Sequence, residues 1–451
     1  MRHFKVNSDG SGLAASDVAE NFSDLHPPLS PAQAAVEAAR CLYCYDAPCI
    51  NACPTSIDIP KFIHQIRSDN LDGSAKTILS ANIMGGTCAR ACPTEVLCEE
   101  ACVVNHTEGA PVKIGELQRR AVDHLLAKKG PHPFARAPET GKRIAVVGAG
   151  PAGLSFAHRA AMLGHDVVVY DAKEKAGGLN EYGLAAYKMA DDFAQAEVEF
   201  LLGVGGIEIN HGQTLGKNLL LDALRKEYDA VFIGAGLTTT RQLSAPGEAL
   251  DGVRDALDFI EDVRCASDKS KLKIDDNVVV IGGGNTAIDA AVQAKCLGAR
   301  NVTLVYRRGP EAMSATGWEQ DLAASNGVVM KFWASPKSFS GSGKVETAAF
   351  SEMREQGGKL AETGRNFDIP AGLVLKAIGQ TLNEKALDGL KIERGKIRVD
   401  ENYRTSVEGV YAGGDCIAAG EDLTVQAVED GKRAAHSVDA ALRLPKSGDL
   451  R

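Results

Sequence analysis

Arg143-Ile-Ala-Val-Val-Gly148-Ala-Gly150-Pro-Ala-Gly153 is an apolar run that enters a glycine-rich turn. The residues after it, to Leu163, have helical periodicity, and a second apolar strand, Asp166 to Tyr170, ends on Asp171. This is the strand–turn–helix–strand of a dinucleotide-binding unit. The first glycine makes the turn, the second admits a pyrophosphate to the backbone, and the third lets helix and strand pack closely. The acid at the end of the second strand meets ribose hydroxyls. A chance glycine-rich turn rarely meets all these conditions, so Gly148, Gly150, Gly153 and Asp171 define a first nucleotide site.

The device recurs in Asn277-Val-Val-Val-Ile-Gly282-Gly-Gly284-Asn-Thr286-Ala287, with alanine in place of the third glycine. Its helix is expected to reach about Leu297, and a strand over Asn301 to Tyr306 follows. That strand ends on Arg307-Arg308 rather than on an acid. A guanidinium there accepts a 2′-phosphate or stacks on adenine, which makes the second site one for a nicotinamide nucleotide. The competing reading is a solvated basic turn. Near the C-terminus, Gly409-Val-Tyr-Ala-Gly-Gly414-Asp415 is a short strand ending in Gly-Gly-Asp, ahead of an amphipathic helix over roughly Thr424 to Leu442. Alone this is a common turn. After two nucleotide fingerprints it marks a flavin site, with the aspartate for a ribityl hydroxyl and the helix N-terminus for the electron-rich edge of the ring.

Upstream, eight of the eleven cysteines fall between residues 41 and 102. They form two runs, Cys41-x2-Cys44-x4-Cys49-x3-Cys53-Pro54 and Cys88-x3-Cys92-Pro93-x4-Cys98-x3-Cys102. Thiolates bunched this tightly, each run with a Cys-Pro, are the ligand pattern of iron–sulfur clusters. A disulfide framework belongs to short secreted chains, whereas Met1 to Asp24 is polar and has no apolar signal-peptide core. Zinc is the more serious competitor for Cys-x2-Cys, but the second run lacks the paired knuckle of a structural zinc site. Cys265, Cys296 and Cys416 are isolated and read as packing residues. No histidine has metal-ligand or triad spacing.

Composition agrees. The chain has 451 residues, 44% of them hydrophobic, with 47 glycines and 5% aromatics. That suits several α/β nucleotide-binding cores. A formal net charge of −9 argues against nucleic acid or an anionic membrane surface as partner. No apolar run approaches the ~18 residues of a membrane span. Cluster chemistry with reduced thiols points to the cytoplasm. A helix start is expected at Ser30-Pro31-Ala32-Gln33, where serine caps and glutamine completes a capping box, so that the helix delivers Cys41 at its end. Helices are also expected over Pro60 to Ile66 and Asp72 to Ser80, and residues 1–29 as a loosely structured arm.

With these motifs in place, the chain resembles the tandem flavoprotein module shared by glutamate synthase small subunits and dihydropyrimidine dehydrogenases. The resemblance covers essentially everything after the arm. It implies an α/β architecture with an N-terminal helical iron–sulfur domain followed by two Rossmann-like domains, the NAD(P) domain inserted in the FAD domain. The implied limits are 1–138 for the cluster domain, 139–239 and 376–451 for the FAD domain, and 240–375 for the NAD(P)H domain. FAD contacts carried over are Gly148, Gly150, Gly153, Asp171, Leu179, Lys188, Gly414, Asp415 and Thr424; Lys188 rests on the resemblance alone, against an ordinary surface lysine. NADH or NADPH falls to Gly282, Gly284, Thr286, Ala287, Arg307 and Arg308. Where NADPH-using relatives place a further arginine this chain has Ser314, which points to NADH.

The second cysteine run and Gln118, sixteen residues after Cys102, resemble the dehydrogenases more than the glutamate synthases. The resemblance implies two 4Fe-4S clusters, one on Cys41, Cys44, Cys49 and Cys102, the other on Cys53, Cys92, Cys98 and Gln118, with Cys88 as a spare buried thiol. Gln118 is otherwise an ordinary helix-surface glutamine. Nothing in the chain suits the binding and protonation of uracil. The implied role is therefore the electron-input subunit of a split, hetero-oligomeric enzyme, passing electrons from NAD(P)H through FAD and the clusters to a separate FMN-containing, pyrimidine-reducing subunit. The competing readings are a glutamate synthase small subunit and a non-catalytic iron–sulfur scaffold.

Overall fold

The computed structural model describes residues 2–7, 10–128 and 130–444. The chain divides into two compact units. One comprises His26–Glu181, Asp191–Thr239 and Thr381–Arg451, and the other Met1–Leu25, Tyr182–Ala190 and Thr240–Gln380. The last stretch of the expected FAD domain, 445–451, lies outside the described residues.

The first unit opens with the helices of the cysteine region. The helix Pro31–Ala39 has the expected capping box, with Ser30 Oγ accepting from the Gln33 amide at 3.3 Å and Gln33 Oε1 from the Ser30 amide at 2.9 Å. Cys41 follows directly after its C-cap, Arg40. Helices Ile59–Arg67 and Leu71–Ala81 fall where periodicity predicts them, capped by the side chains of Asp58 and Asn70. They bury Phe62, Ile63, Ile78 and Leu79 against Leu117 and Val122 of the helix Ile114–Ala127. A shorter helix, Gly85–Ala91, carries Cys88 and ends at Cys92.

The same unit contains a parallel five-stranded sheet, in the order 410–412, 230–233, 143–147, 166–170, 207–210. Its central strand, Arg143–Val147, is buried from Ile144 on, as a parallel strand covered on both faces must be. Helices Pro151–Met162 and Thr424–Arg443 pack closely on one another. A Cβ on Gly431 would stand 2.1 Å from the Ala152 carbonyl oxygen, so only glycine permits this crossing. The helix Phe193–Leu202 contributes Glu197, which is buried and accepts from the amides of Gly86 (2.8 Å) and Thr87 (3.0 Å) and from the Thr87 hydroxyl. Burial pushes this carboxyl up to about 7 despite those donors. Arg90 of the capped helix lies over the Phe193 ring at 3.3 Å and pairs with Asp123 at 2.8 Å.

The second unit is built on a parallel sheet ordered 253–255, 373–377, 277–282, 301–305, 328–331. It also has an antiparallel meander of 334–340, 347–356 and 359–370, which sequence reasoning missed. The expected limit at 375 moves to Gln380, because Leu373–Ala377 pairs within this sheet. The N-terminal arm is not loose. It contains the helix Ala15–Asn21 and buries Phe4, Val18, Phe22 and Leu25 in this unit's core. Asn326 Oδ1 accepts from the Phe4 amide at 2.7 Å, and Asn21 Nδ2 donates to the Cys296 carbonyl at 3.0 Å. Four buried apolar side chains and these bonds offset the entropy cost of ordering the arm in part.

Residues 182–190 belong to this unit rather than to the FAD half. Tyr187 is fully buried, and Lys188 Nζ lies 2.7 Å from Asp289 Oδ1 and 2.5 Å from Glu319 Oε1. Burial alone would lower the lysine's pKa, but the two carboxylates outweigh it and raise it. Lys188 is therefore a buried, paired cation and no surface lysine.

Lys188→Met leaves two buried carboxylates without their cation and is expected to cost about 3–5 kcal/mol in denaturant unfolding, where an exposed lysine would cost nothing measurable. Gly431→Ala tests the helix crossing by sign. Overpacking there costs roughly 1–3 kcal/mol, whereas a loose crossing would gain up to about 1 kcal/mol from helix propensity.

Candidate functional site

In the first unit the fingerprint turn follows its sequence logic. Gly148 has φ +100, and a Cβ on it would stand 2.4 Å from the Gly234 carbonyl oxygen. A Cβ on Gly153 would stand 1.9 Å from the Gly148 oxygen, which is the close approach required of the third glycine. Gly150 is the N-cap of the helix Pro151–Met162 and offers no side-chain cap, so the first-turn amides face a turn without competing side chains. Asp171 ends the second strand, and its Oδ2 accepts from the Ala149 amide at 2.6 Å. The acid therefore braces the turn itself.

Two neighbours of this turn escaped sequence reasoning. Gly177 donates its amide to the Ala149 carbonyl at 2.7 Å, and a Cβ on Gly178 would stand 2.7 Å from Gly150 Cα. This pair seats Leu179 and Asn180 beside the fingerprint, and Thr424 Oγ1 hydrogen-bonds Asn180 Oδ1 at 3.2 Å. Gly414 (φ +75) packs with its Cβ position 2.8 Å from Ala152 Cβ. The Gly-Gly-Asp turn is held by buried Asp430, whose Oδ2 accepts from the Gly414 amide at 3.0 Å while Oδ1 accepts from Tyr403 at 3.1 Å. Burial and the charge of Asp422 push Asp415 up to about 6. The structure thus gathers Gly148, Gly150, Gly153, Asp171, Leu179, Gly414 and Thr424 around one helix N-terminus, with Asp415 next in the chain. Asp430 was missed because a single buried aspartate in an amphipathic helix carries no motif.

The second unit repeats the arrangement. A Cβ on Gly282 (φ +155) would stand 2.3 Å from the Ala377 carbonyl oxygen. Gly284 caps the helix Asn285–Cys296 without a side-chain bond, Thr286 lies in its first turn, and Ala287 is fully buried. Arg307 and Arg308 follow the strand Asn301–Val305 and are exposed. Ser314 lies over the turn, its Oγ 3.5 Å from the Gly283 oxygen.

The cysteine region fits iron–sulfur ligation. Cys41, Cys44, Cys49 and Cys102 line one pocket, whose other walls include Leu42, Ile59, Ile63, Val104 and Ile114. Burial pushes the Cys49 thiol up to about 12, and Cys102 and Cys41 add to the shift. Apolar walls with thiols converging from separate loops suit a cluster that replaces those protons with iron. Cys92 likewise is raised by burial and then by Cys88, Cys98 and Cys53, which lie near it. Among the described residues no three Cys, His, Asp or Glu side chains stand close enough to hold a single metal ion; in a four-iron cluster each thiolate binds its own iron. Gln118 is buried, not on the helix surface, and its Nε2 donates to the Gly85 carbonyl at 2.7 Å. Its amide oxygen is left for another partner.

Among the described residues no helix is long and apolar enough to cross a membrane. Two family profiles match. Residues 142–431 match the pyridine nucleotide-disulphide oxidoreductases, and residues 18–130 match dihydropyrimidine dehydrogenase domain II, 4Fe-4S cluster. The chain is 34% identical to the NADP(+)-dependent formate dehydrogenase subunit beta of Moorella thermoacetica, over 88% of this chain and 60% of that protein. It is 33% identical to the NAD-dependent dihydropyrimidine dehydrogenase subunit PreT of Escherichia coli K12, over 93% of this chain and 97% of that one. Against the glutamate synthase [NADPH] small chain of the same bacterium identity is 31%, over 92% and 93%. The scaffold reading falls with these matches. The chain belongs to the pyridine nucleotide-disulphide oxidoreductase family, as an NAD(P)H-dependent oxidoreductase with FAD and 4Fe-4S iron.

Proposed function

We propose that this chain is the electron-input subunit of a hetero-oligomeric, pyrimidine-reducing enzyme, taking hydride from NADH and delivering single electrons to a separate FMN-containing subunit that reduces uracil or thymine. The carrying observation is the convergence of Cys41, Cys44, Cys49 and Cys102 on one apolar pocket, beside a second thiol group and a buried Gln118. Identities of 33% and 31% do not separate the pyrimidine from the glutamate relative. The burial of Gln118 favours the former, because a surface glutamine would have no ligand role.

In this reading the nicotinamide nucleotide is held by Gly282, Gly284, Thr286, Ala287, Arg307 and Arg308, with Ser314 in place of a further arginine. FAD is held by Gly148, Gly150, Gly153, Asp171, Leu179, Gly414, Asp415 and Thr424. One 4Fe-4S cluster takes Cys41, Cys44, Cys49 and Cys102, and the other Cys53, Cys92, Cys98 and Gln118. Bound FAD and clusters supply the conversion of a two-electron donor into single electrons. The chain's residues position these groups, keep water from the apolar cysteine pocket and tune potential. A neutral amide in place of a thiolate makes the second cluster less negative and raises its potential.

The first test is NADH oxidation by the complex purified anaerobically from its native host, with uracil and separately with 2-oxoglutarate plus glutamine. Uracil-dependent oxidation is expected; turnover only with 2-oxoglutarate plus glutamine would reassign the chain to glutamate synthesis. Gln118→Ala is expected to change the electron paramagnetic resonance signal of one cluster and leave the other intact. Two unchanged signals would remove Gln118 from the ligand set.

A further inference from the structure

The second thiol group holds one donor more than a cluster needs. With Cys53, Cys92, Cys98 and Gln118 assigned, Cys88 remains, on the helix that ends at Cys92. It lies one helical turn before Cys92, and the Cys92 amide donates to its carbonyl at 2.9 Å. Gly85, Cys88 and Cys92 therefore share one face of the helix Gly85–Ala91 and its C-cap. Gln118 approaches that face, since a Cβ on Gly85 would stand 3.7 Å from its Nε2.

The sulfur of Cys88 is also specifically hydrogen-bonded. Asn82 is fully buried, and its Oδ1 accepts from the Met84 amide at 3.0 Å. That bond fixes which end of the side chain is which, and it aims Nδ2 at Cys88 Sγ, 3.2 Å away. An N–H directed at sulfur is one of the levers by which proteins set iron–sulfur potentials. A thiol that merely filled space would need no oriented donor.

We propose that Cys88 is the reserve ligand of the second cluster, taking over the iron that Gln118 releases. The inference rests on the ligand set given under the proposed function. In the exchange the iron–oxygen bond to the amide breaks and an iron–sulfur bond to Cys88 forms. The thiol proton leaves to water, and no electron moves. The exchanged cluster carries one more negative charge and has a lower potential.

Cys88→Ser, Gln118→Ala and the double variant, all purified anaerobically, test this by iron content, redox titration and electron paramagnetic resonance. Flavin absorbance and the first cluster's signal serve as controls for folding. Cys88→Ser alone is expected to keep about eight irons per chain and both signals unchanged. Gln118→Ala is expected to keep the same iron, with one signal altered and its potential lowered. The double variant is expected to fall twofold, to about four irons, with the first cluster's signal retained. Loss of a cluster in Gln118→Ala alone, or full iron in the double variant, would overturn the proposal. So would a changed signal in Cys88→Ser, which would make Cys88 the resident ligand. A Gln118→Ala protein with both signals and potentials unchanged would instead show that Gln118 binds no iron, and the ligand set would fail before the exchange.

Discussion

Backbone must meet backbone wherever this chain makes a nucleotide site, and a single methyl group would prevent it. The hypothetical Cβ atoms of Gly153, Gly282 and Gly431 stand 1.9, 2.3 and 2.1 Å from carbonyl oxygens of neighbouring elements. Gly153 lets the helix Pro151–Met162 close on its strand. Gly431 then lets the C-terminal helix close on that helix. Because Gly414 and Thr424 come from the same C-terminal segment, their place beside the Gly148–Gly153 turn depends on the second approach as much as on the first. Overpacking of this kind is felt at once in interiors packed as densely as crystals.

A second dependence joins the cysteine region to the nucleotide-binding sheet of the same unit. Glu197, from the helix Phe193–Leu202, satisfies the first amides of the helix that delivers Cys92. Orphan amides at a buried helix start need such a partner. Arg90 and Asp123 fasten the same helix to Ile114–Ala127, which carries Gln118. The second thiol group is thus held from both sides by side chains that are not ligands, which is how rigid ligand geometry is secured.

Most of the nucleotide-binding architecture was legible because local and global signals agree there. Strand, turn, helix and acid stand in fixed order at Gly148–Asp171, and the capping box at Ser30 marks its helix to the residue. The N-terminal arm was illegible because Phe4, Val18, Phe22 and Leu25 follow no single period, and their partners lie hundreds of residues away. The meander had an unused signal, the two-residue Gly357-Gly358 turn with both φ values positive, which is a hairpin turn. Lys188 and Glu197 show the remaining limit. A buried charge looks like a surface charge in a sequence until the carboxylates or amides that satisfy it are known.

The unit that carries the nicotinamide fingerprint is assembled from three separate stretches of chain, Met1–Leu25, Tyr182–Ala190 and Thr240–Gln380. On the ribosome, then, the arm emerges well before its partners and waits, its apolar side chains uncovered, until Asn326 and the Cys296 carbonyl have been made. The other unit waits longer still, for the edge strand Val410–Ala412 and the helix Thr424–Arg443. Domains usually fold as their residues appear, and distant pairings slow that process. Here Val410–Ala412 and Thr424–Arg443 are made long after the cysteine region, so a nascent chain can gather its cysteines well before this sheet has its edge strand and covering helix.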